Sequence, residues 1–156
     1  MRKLTMLLLI VSGFMFTAAG LVFTIMSFIE KQTGLGVGFV AITFFTTLLY
    51  FMFVSIIGSS LSRNRKMELA RLTIIVGAIL LVVAITVSVV SFSNGIYTLH
   101  QVVLQNNVDA TPSTLFVRET TSSNANFIWA FYGLSIIAPS ALTVIAGPMM
   151  LGITEY

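Results

Sequence analysis

The chain holds one histidine, His100, and no cysteine to stand beside it. A metal, haem or quinone contact needs more than a lone imidazole, because metal sites draw on several His, Cys or carboxylate donors. No such cluster flanks position 100, and the missing cysteines also exclude disulfides, thiolate sites and Cys nucleophiles. His100 lies four residues after Ile96, a helical spacing that suits an interfacial or partner-facing side chain. Glycines alternate at Gly34, Gly36 and Gly38, but the preceding strand and the following lysine of a phosphate loop are absent. These residues therefore predict no catalytic, cofactor-binding or metal site, and a protein that is not an enzyme.

The basic residues suggest a different chemistry. Arg63, Arg65, Lys66 and Arg71 are clustered in a short polar stretch and could hold anionic lipid headgroups, each worth about 1 kcal/mol near a membrane surface. Eight basic residues are too few and too local for a nucleic-acid stripe, so membrane lipids are expected as partners and nucleic acid is not. Small residues supply a packing signal. Gly13, Thr17 and Gly20 form one stripe, and Ser55 with Ser59 another, of the small-xxx-small kind that lets helix backbones approach. Pro139 and the Gly147-Pro148 pair predict a kink in the last apolar segment, with Ser135 four residues before Pro139.

The elements that must position these residues follow from composition. Apolar residues make up 57% and charged residues 8%, against about 25% charged in soluble domains. A spanning helix needs about 20 apolar residues. Stretches 4–29, 34–61, 72–93 and 127–153 meet that length without one Asp, Glu, Lys or Arg. The third is rich in β-branched residues, yet an isolated strand in lipid would leave its backbone unpaired, so a helix is expected there too. The start, Met1-Arg2-Lys3 and an apolar run, has the look of a signal peptide with Ala18-Ala19-Gly20 as its cleavage region. The run continues to Ile29, which favours an uncleaved first helix. The fold class expected is all-α: a single domain, 1–156, forming an integral membrane bundle of four antiparallel transmembrane helices.

Connections set the topology. Residues 30–33 make a tight turn, and 62–71 a short basic connector. Residues 94–126 form a longer extracytoplasmic loop, with Ile96, Leu99 and Val103 at the spacing of a short surface helix or a jointed continuation of helix three. Within it, His100, Leu115, Phe116 and Val117 are the candidates for partner contact. Arg2, Lys3, Arg63, Arg65, Lys66 and Arg71 fall on one side, Lys31 and Arg118 on the other, which places both termini in the cytoplasm. Tyr97, Trp129 and Tyr132 fit an outer aromatic belt. The two helical pairs share no motif, which counts against an inverted-repeat transporter. The layout resembles that of tetraspan proteins, but the outer-loop cysteines of tetraspanins and claudins are absent.

No spanning stretch carries an Asp, Glu, Lys, Arg or His, the residues on which proton relays, voltage sensors and ion-coupled carriers rely. Together these features predict a non-catalytic accessory subunit of a larger membrane complex, such as those around respiratory or other redox cores, with other membrane subunits as partners. The alternative is a self-assembling protein, either a homo-oligomeric pore or a viral envelope component. Its polar path would run through Thr43, Thr46, Thr47, Ser55 and Ser59.

Overall fold

The computed structural model describes residues 2–59, 63–108 and 114–152, with the side chains of all of these except 2, 63 and 101–123. The described residues form four helices: α1 (Arg2–Ile29), α2 (Thr33–Gly58), α3 (Arg63–Val108) and α4 (Thr114–Leu151). Each contains a stretch long and apolar enough to cross a membrane. Large apolar side chains such as Phe14, Phe45, Phe51 and Val82 point outward and are more than half exposed. That surface is untenable in water and ordinary in lipid, where the acyl chains are as apolar as the side chains.

The turn between α1 and α2 is built by backbone hydrogen bonds that close the end of α1. Gln32 N donates to Ser27 O at 2.7 Å and Lys31 N to Phe28 O at 3.1 Å. This is the paired arrangement of a Schellman ending, which requires a left-handed residue at the first position beyond the helix. Lys31 takes that role with φ 59°, where glycine would be the unstrained choice.

Helices pair through small residues. A Cβ on Gly13 would sit 2.9 Å from Tyr50 Cβ, one on Gly20 would strike Thr43, and one on Gly36 would lie 3.0 Å from the Phe28 ring. As the α1 number rises its α2 partner falls, so the two run in opposite directions. The same holds for α3 and α4, where Gly77 faces Val144, Ala84 and Ser88 face Gly133, and Gly95 faces Phe127. The sequence of contacts across the molecule is α3 on α4, α4 on α1 and α1 on α2. α4 is therefore an inner helix and α3 an outer one.

Three expected boundaries need correction. Helix three was expected over 72–93 and helix four over 127–153, separated by an outer loop over 94–126. Instead α3 continues to Val108, α4 begins at Thr114, and α3 already starts at Arg63 inside the expected basic connector. The Asn94-Gly95 break does not stop the helix because Gly95 is used in packing: a Cβ there would meet the Phe127 ring at 3.1 Å. Tertiary contact thus overrides the roughly 1 kcal/mol helical disadvantage of glycine. With 46 residues, α3 is about 69 Å long, more than twice the hydrocarbon thickness of a bilayer. The α3–α4 pair must extend beyond the membrane as helix rather than as loop.

Candidate functional site

The described polar side chains meet most closely where α1, α2 and α4 converge. Ser12 on α1 and Thr143 on α4 are fully buried, and Tyr50 on α2 is nearly so. They surround one acceptor, the Pro139 carbonyl. Ser12 Oγ donates to it at 2.6 Å and Thr143 Oγ1 at 2.8 Å. The two hydroxyl oxygens lie 2.9 Å apart, and Ser12 Oγ also reaches the Tyr50 hydroxyl at 3.2 Å. Tyr50 in turn bonds the Thr143 hydroxyl.

Proton bookkeeping defines what this cluster can do. A hydroxyl has one proton to donate and two lone pairs. With Ser12 and Thr143 donating to Pro139, the Tyr50 proton goes to Thr143 Oγ1. Ser12 retains a second acceptor within reach, the Tyr50 oxygen, so its bond can be exchanged without leaving its proton unpaired. The arrangement contains no charge. It can trade hydrogen bonds with a neutral polar molecule, and it holds no carboxylate, amine or imidazole.

Each helix brings its residue here for a local reason. On α1, Thr5, Ser12 and Ser27 are fully buried among Leu9, Phe16 and Phe23. The inward face thus places small polar groups between large apolar ones. On α2, Tyr50 crosses over Gly13, whose missing side chain leaves the ring its space, and stacks against Phe16 at 5.4 Å between centroids. On α4, Pro139 has no N–H, so the Ser135 carbonyl loses its usual helical donor. The Ser135 hydroxyl does not compensate within that turn. It bonds the Tyr132 carbonyl at 2.7 Å.

Two turns along α4 lies an aromatic cluster. The Phe39 ring is 4.8 Å from Trp129 and 4.7 Å from Tyr132, and Phe23 meets Tyr132 edge-on at 5.7 Å. Tyr132 is buried here among three rings, so it is a core residue and not part of an interfacial belt.

The residues singled out from the sequence are dispersed. His100 is exposed at the point where the described side chains of α3 end. Arg65 and Arg71 are exposed, whereas Lys66 is buried, so the basic group does not present a single face. The side chains of Arg63, Leu115, Phe116 and Val117 lie outside the described residues. Gly13 and Gly20 face α2, and Thr17 Oγ1 donates to Gly13 O at 2.9 Å and contacts Thr47 Oγ1 at 2.9 Å. Ser55 and Ser59 are exposed, the latter donating to Ile56 O. Thr43 and Thr46 return their hydroxyls to their own helix backbone. The α2 hydroxyls thus point around the helix and form no single polar path.

Ser12 and Thr143 were not anticipated. The signal was available in the seven-residue steps between Thr5 and Ser12 and between Gly20 and Ser27 within an otherwise apolar helix. A polar residue repeated on one face of a membrane helix marks the side turned to protein.

Comparison with known proteins bears on the second helical pair. Residues 78–154, a little under half of the chain, match the family described as a sugar efflux transporter for intercellular exchange. No curated protein and no solved structure gives a significant match. The matched stretch holds Pro139 and Thr143 but not Ser12 or Tyr50. This finding overturns the expectation of an accessory subunit around a redox core, since the similarity is to transporters that move a solute themselves. It removes with it the reason for favouring other membrane subunits as partners. Absent charge does not mean absent transport, because a neutral solute needs no charged partner to cross. From a third of the way along α3 through α4, this four-helix membrane protein is similar to sugar efflux transporters.

Proposed function

We propose that the chain carries a small sugar, or a polyol of similar size, across the membrane down its gradient. The observation that carries this reading is the match of residues 78–154 to sugar efflux transporters. Two features support it. The spanning stretches contain no Asp, Glu, Lys, Arg or His, so no carboxylate, amine or imidazole there is available to couple transport to a proton. The Ser12 and Thr143 hydroxyls meet on the Pro139 carbonyl, Tyr50 bonds both of them, and together they form a neutral cluster that matches the chemistry of a sugar hydroxyl.

In this mechanism the closed state is the one described. The Ser12 and Thr143 protons are held by the Pro139 carbonyl, tying α1 to α4 at the position where α4 lacks a backbone hydrogen bond. A sugar hydroxyl that accepts from Ser12 or Thr143 and donates to Pro139 O replaces the tie with equivalent bonds. The exchange costs little in an apolar interior, because no donor is left unpaired. α4 then bends where its ladder is already interrupted, at residues 135–139. Both termini lie on the cytoplasmic side in this reading, as the distribution of basic residues favours.

Purified protein in liposomes tests it directly. Saturable uptake of a radiolabelled monosaccharide without an imposed ion gradient is expected, with Thr143→Val reducing it at least tenfold. Uptake no faster than in empty liposomes, across hexoses, pentoses and small polyols, would rule the reading out.

A further inference from the structure

We propose that a groove between α1 and α2 seats one acyl chain of an anionic phospholipid, drawn from the leaflet on the basic side of the protein. The groove encloses about 280 Å³ and is lined by Leu9, Gly13, Phe14 and Thr17 of α1 and by Thr47, Phe51 and Val54 of α2, among others. Its existence follows from the packing of the two helices. Gly13 has no side chain to fill the space over Tyr50, while Phe14 and Phe51, each at least 70% exposed, stand out from the surface as opposite walls.

The lining is suited to hydrocarbon and unsuited to a sugar. Its two threonines are already satisfied: Thr17 donates to Gly13 O, so the proton between Thr17 and Thr47 is the one on Thr47. Neither hydroxyl has a proton to offer an occupant, and the remaining surface is methyl, methylene and ring. The groove is also placed at acyl-chain depth. From Leu9 to Thr17 it runs about 12 Å, most of one leaflet's share of a hydrocarbon core about 30 Å thick.

Charge identifies the occupant further. The shallow end lies at Leu9 and Val54. Lys3 is six residues from Leu9, about 9 Å along α1, and Gly58 is four residues from Val54 on α2. Arg65 follows in the first turns of α3, just past the short α2–α3 connection. Lys3 and Arg65 are both exposed. A headgroup above a chain in this groove therefore sits at the basic end of the molecule, where each positive side chain is worth about a fivefold preference for an anionic lipid.

The test places an indole on the wall. Phe14→Trp in a Trp129→Phe background leaves one tryptophan at the groove, and the protein is reconstituted in phosphatidylcholine vesicles containing a small fraction of brominated phosphatidylglycerol or brominated phosphatidylcholine. The expected result is quenching by the brominated anionic lipid well beyond its bulk share, at least fivefold above the brominated neutral lipid and up to about twenty-five-fold where both charges act in full. Lys3→Gln with Arg65→Gln should return the two to parity. Phe51→Trp in the same background reports from the opposite wall and should agree. Quenching that follows bulk composition for both lipids at both walls overturns the proposal. So does shielding from both lipids, which would mean that a second copy of the chain covers the groove.

Discussion

The α1–α2 and α3–α4 pairs both pack through glycine, yet what their glycines touch differs. On α1, Gly13 and Gly20 make room for the side chains of Tyr50 and Thr43. In the other pair Gly95 also meets a side chain, the Phe127 ring, but three glycines approach backbone as well as side chains. A Cβ on Gly77 would meet Val144 N at 2.8 Å, one on Gly133 would meet Ala84 O at 2.8 Å, and one on Gly147 would lie 3.1 Å from Ala70 O. Backbone cannot rotate out of the way as a side chain can. The α3–α4 pair is therefore the stiff half, locked over most of its length. The α1–α2 pair is held by side chains and joined to α4 through exchangeable hydroxyls. Motion belongs on the α1–α4 side of α4, where Pro139 also lies.

Substitutions should separate the two halves by size of effect. Gly77→Val should be the most damaging, because its added atoms meet a backbone that cannot yield. A loss of about 3 kcal/mol is expected, read as reduced thermal stability in detergent. Gly13→Ala should cost less, since the Tyr50 ring can shift, and the difference between the two measures how unequal the halves are. Thr143→Val comes next. It removes hydrogen bonds to Pro139 and Tyr50 with little change of shape, and interhelical hydrogen bonds in membranes are worth about 0.6 kcal/mol on average and up to about 1.7. Stability should fall by about 1 kcal/mol while transport falls far more. If stability and transport fall in proportion, the cluster is merely structural.

Lys31 offers a smaller effect of opposite sign. Its left-handed φ costs a side-chain-bearing residue about 1 kcal/mol that glycine does not incur. Lys31→Gly should accordingly raise the stability of the α1–α2 pair slightly, by less than that amount because glycine also loosens the unfolded chain. A fall instead would mean that the lysine side chain contributes at the turn. Smallest of all, Ser55→Ala should leave both stability and flux unchanged, since Ser55 faces outward.

Much of the architecture could be read from apolar run lengths alone, since no other secondary structure satisfies the backbone across 20 or more residues in lipid. The helix ends could not. Nothing local in the Asn94-Gly95 pair indicates that Phe127, 32 residues away, will pack over the glycine and carry the helix through. Gly13 and Gly20 were conspicuous because small residues stand out in an apolar helix. Ser55 and Ser59 were equally conspicuous and lie on the outward side, because spacing reports a shared face but not which way that face turns. The hydroxyl cluster was the least legible part. Ser12, Tyr50 and Thr143 are separated by 38 and 93 residues, and only the convergence of three helices brings them together. Lys66 illustrates the same limit. It belongs to a basic run in the sequence, but its position on α3 buries it.

The central claim is that a neutral hydroxyl cluster lets this chain move sugar downhill without an ion. Counterflow in proteoliposomes, with proton and sodium gradients abolished by ionophores, tests it most directly. Preloaded unlabelled sugar should drive a transient accumulation of labelled sugar that persists with the ionophores present and is lost in Thr143→Val. Counterflow that vanishes when the gradients are collapsed, or that survives unchanged in Thr143→Val, would contradict the account.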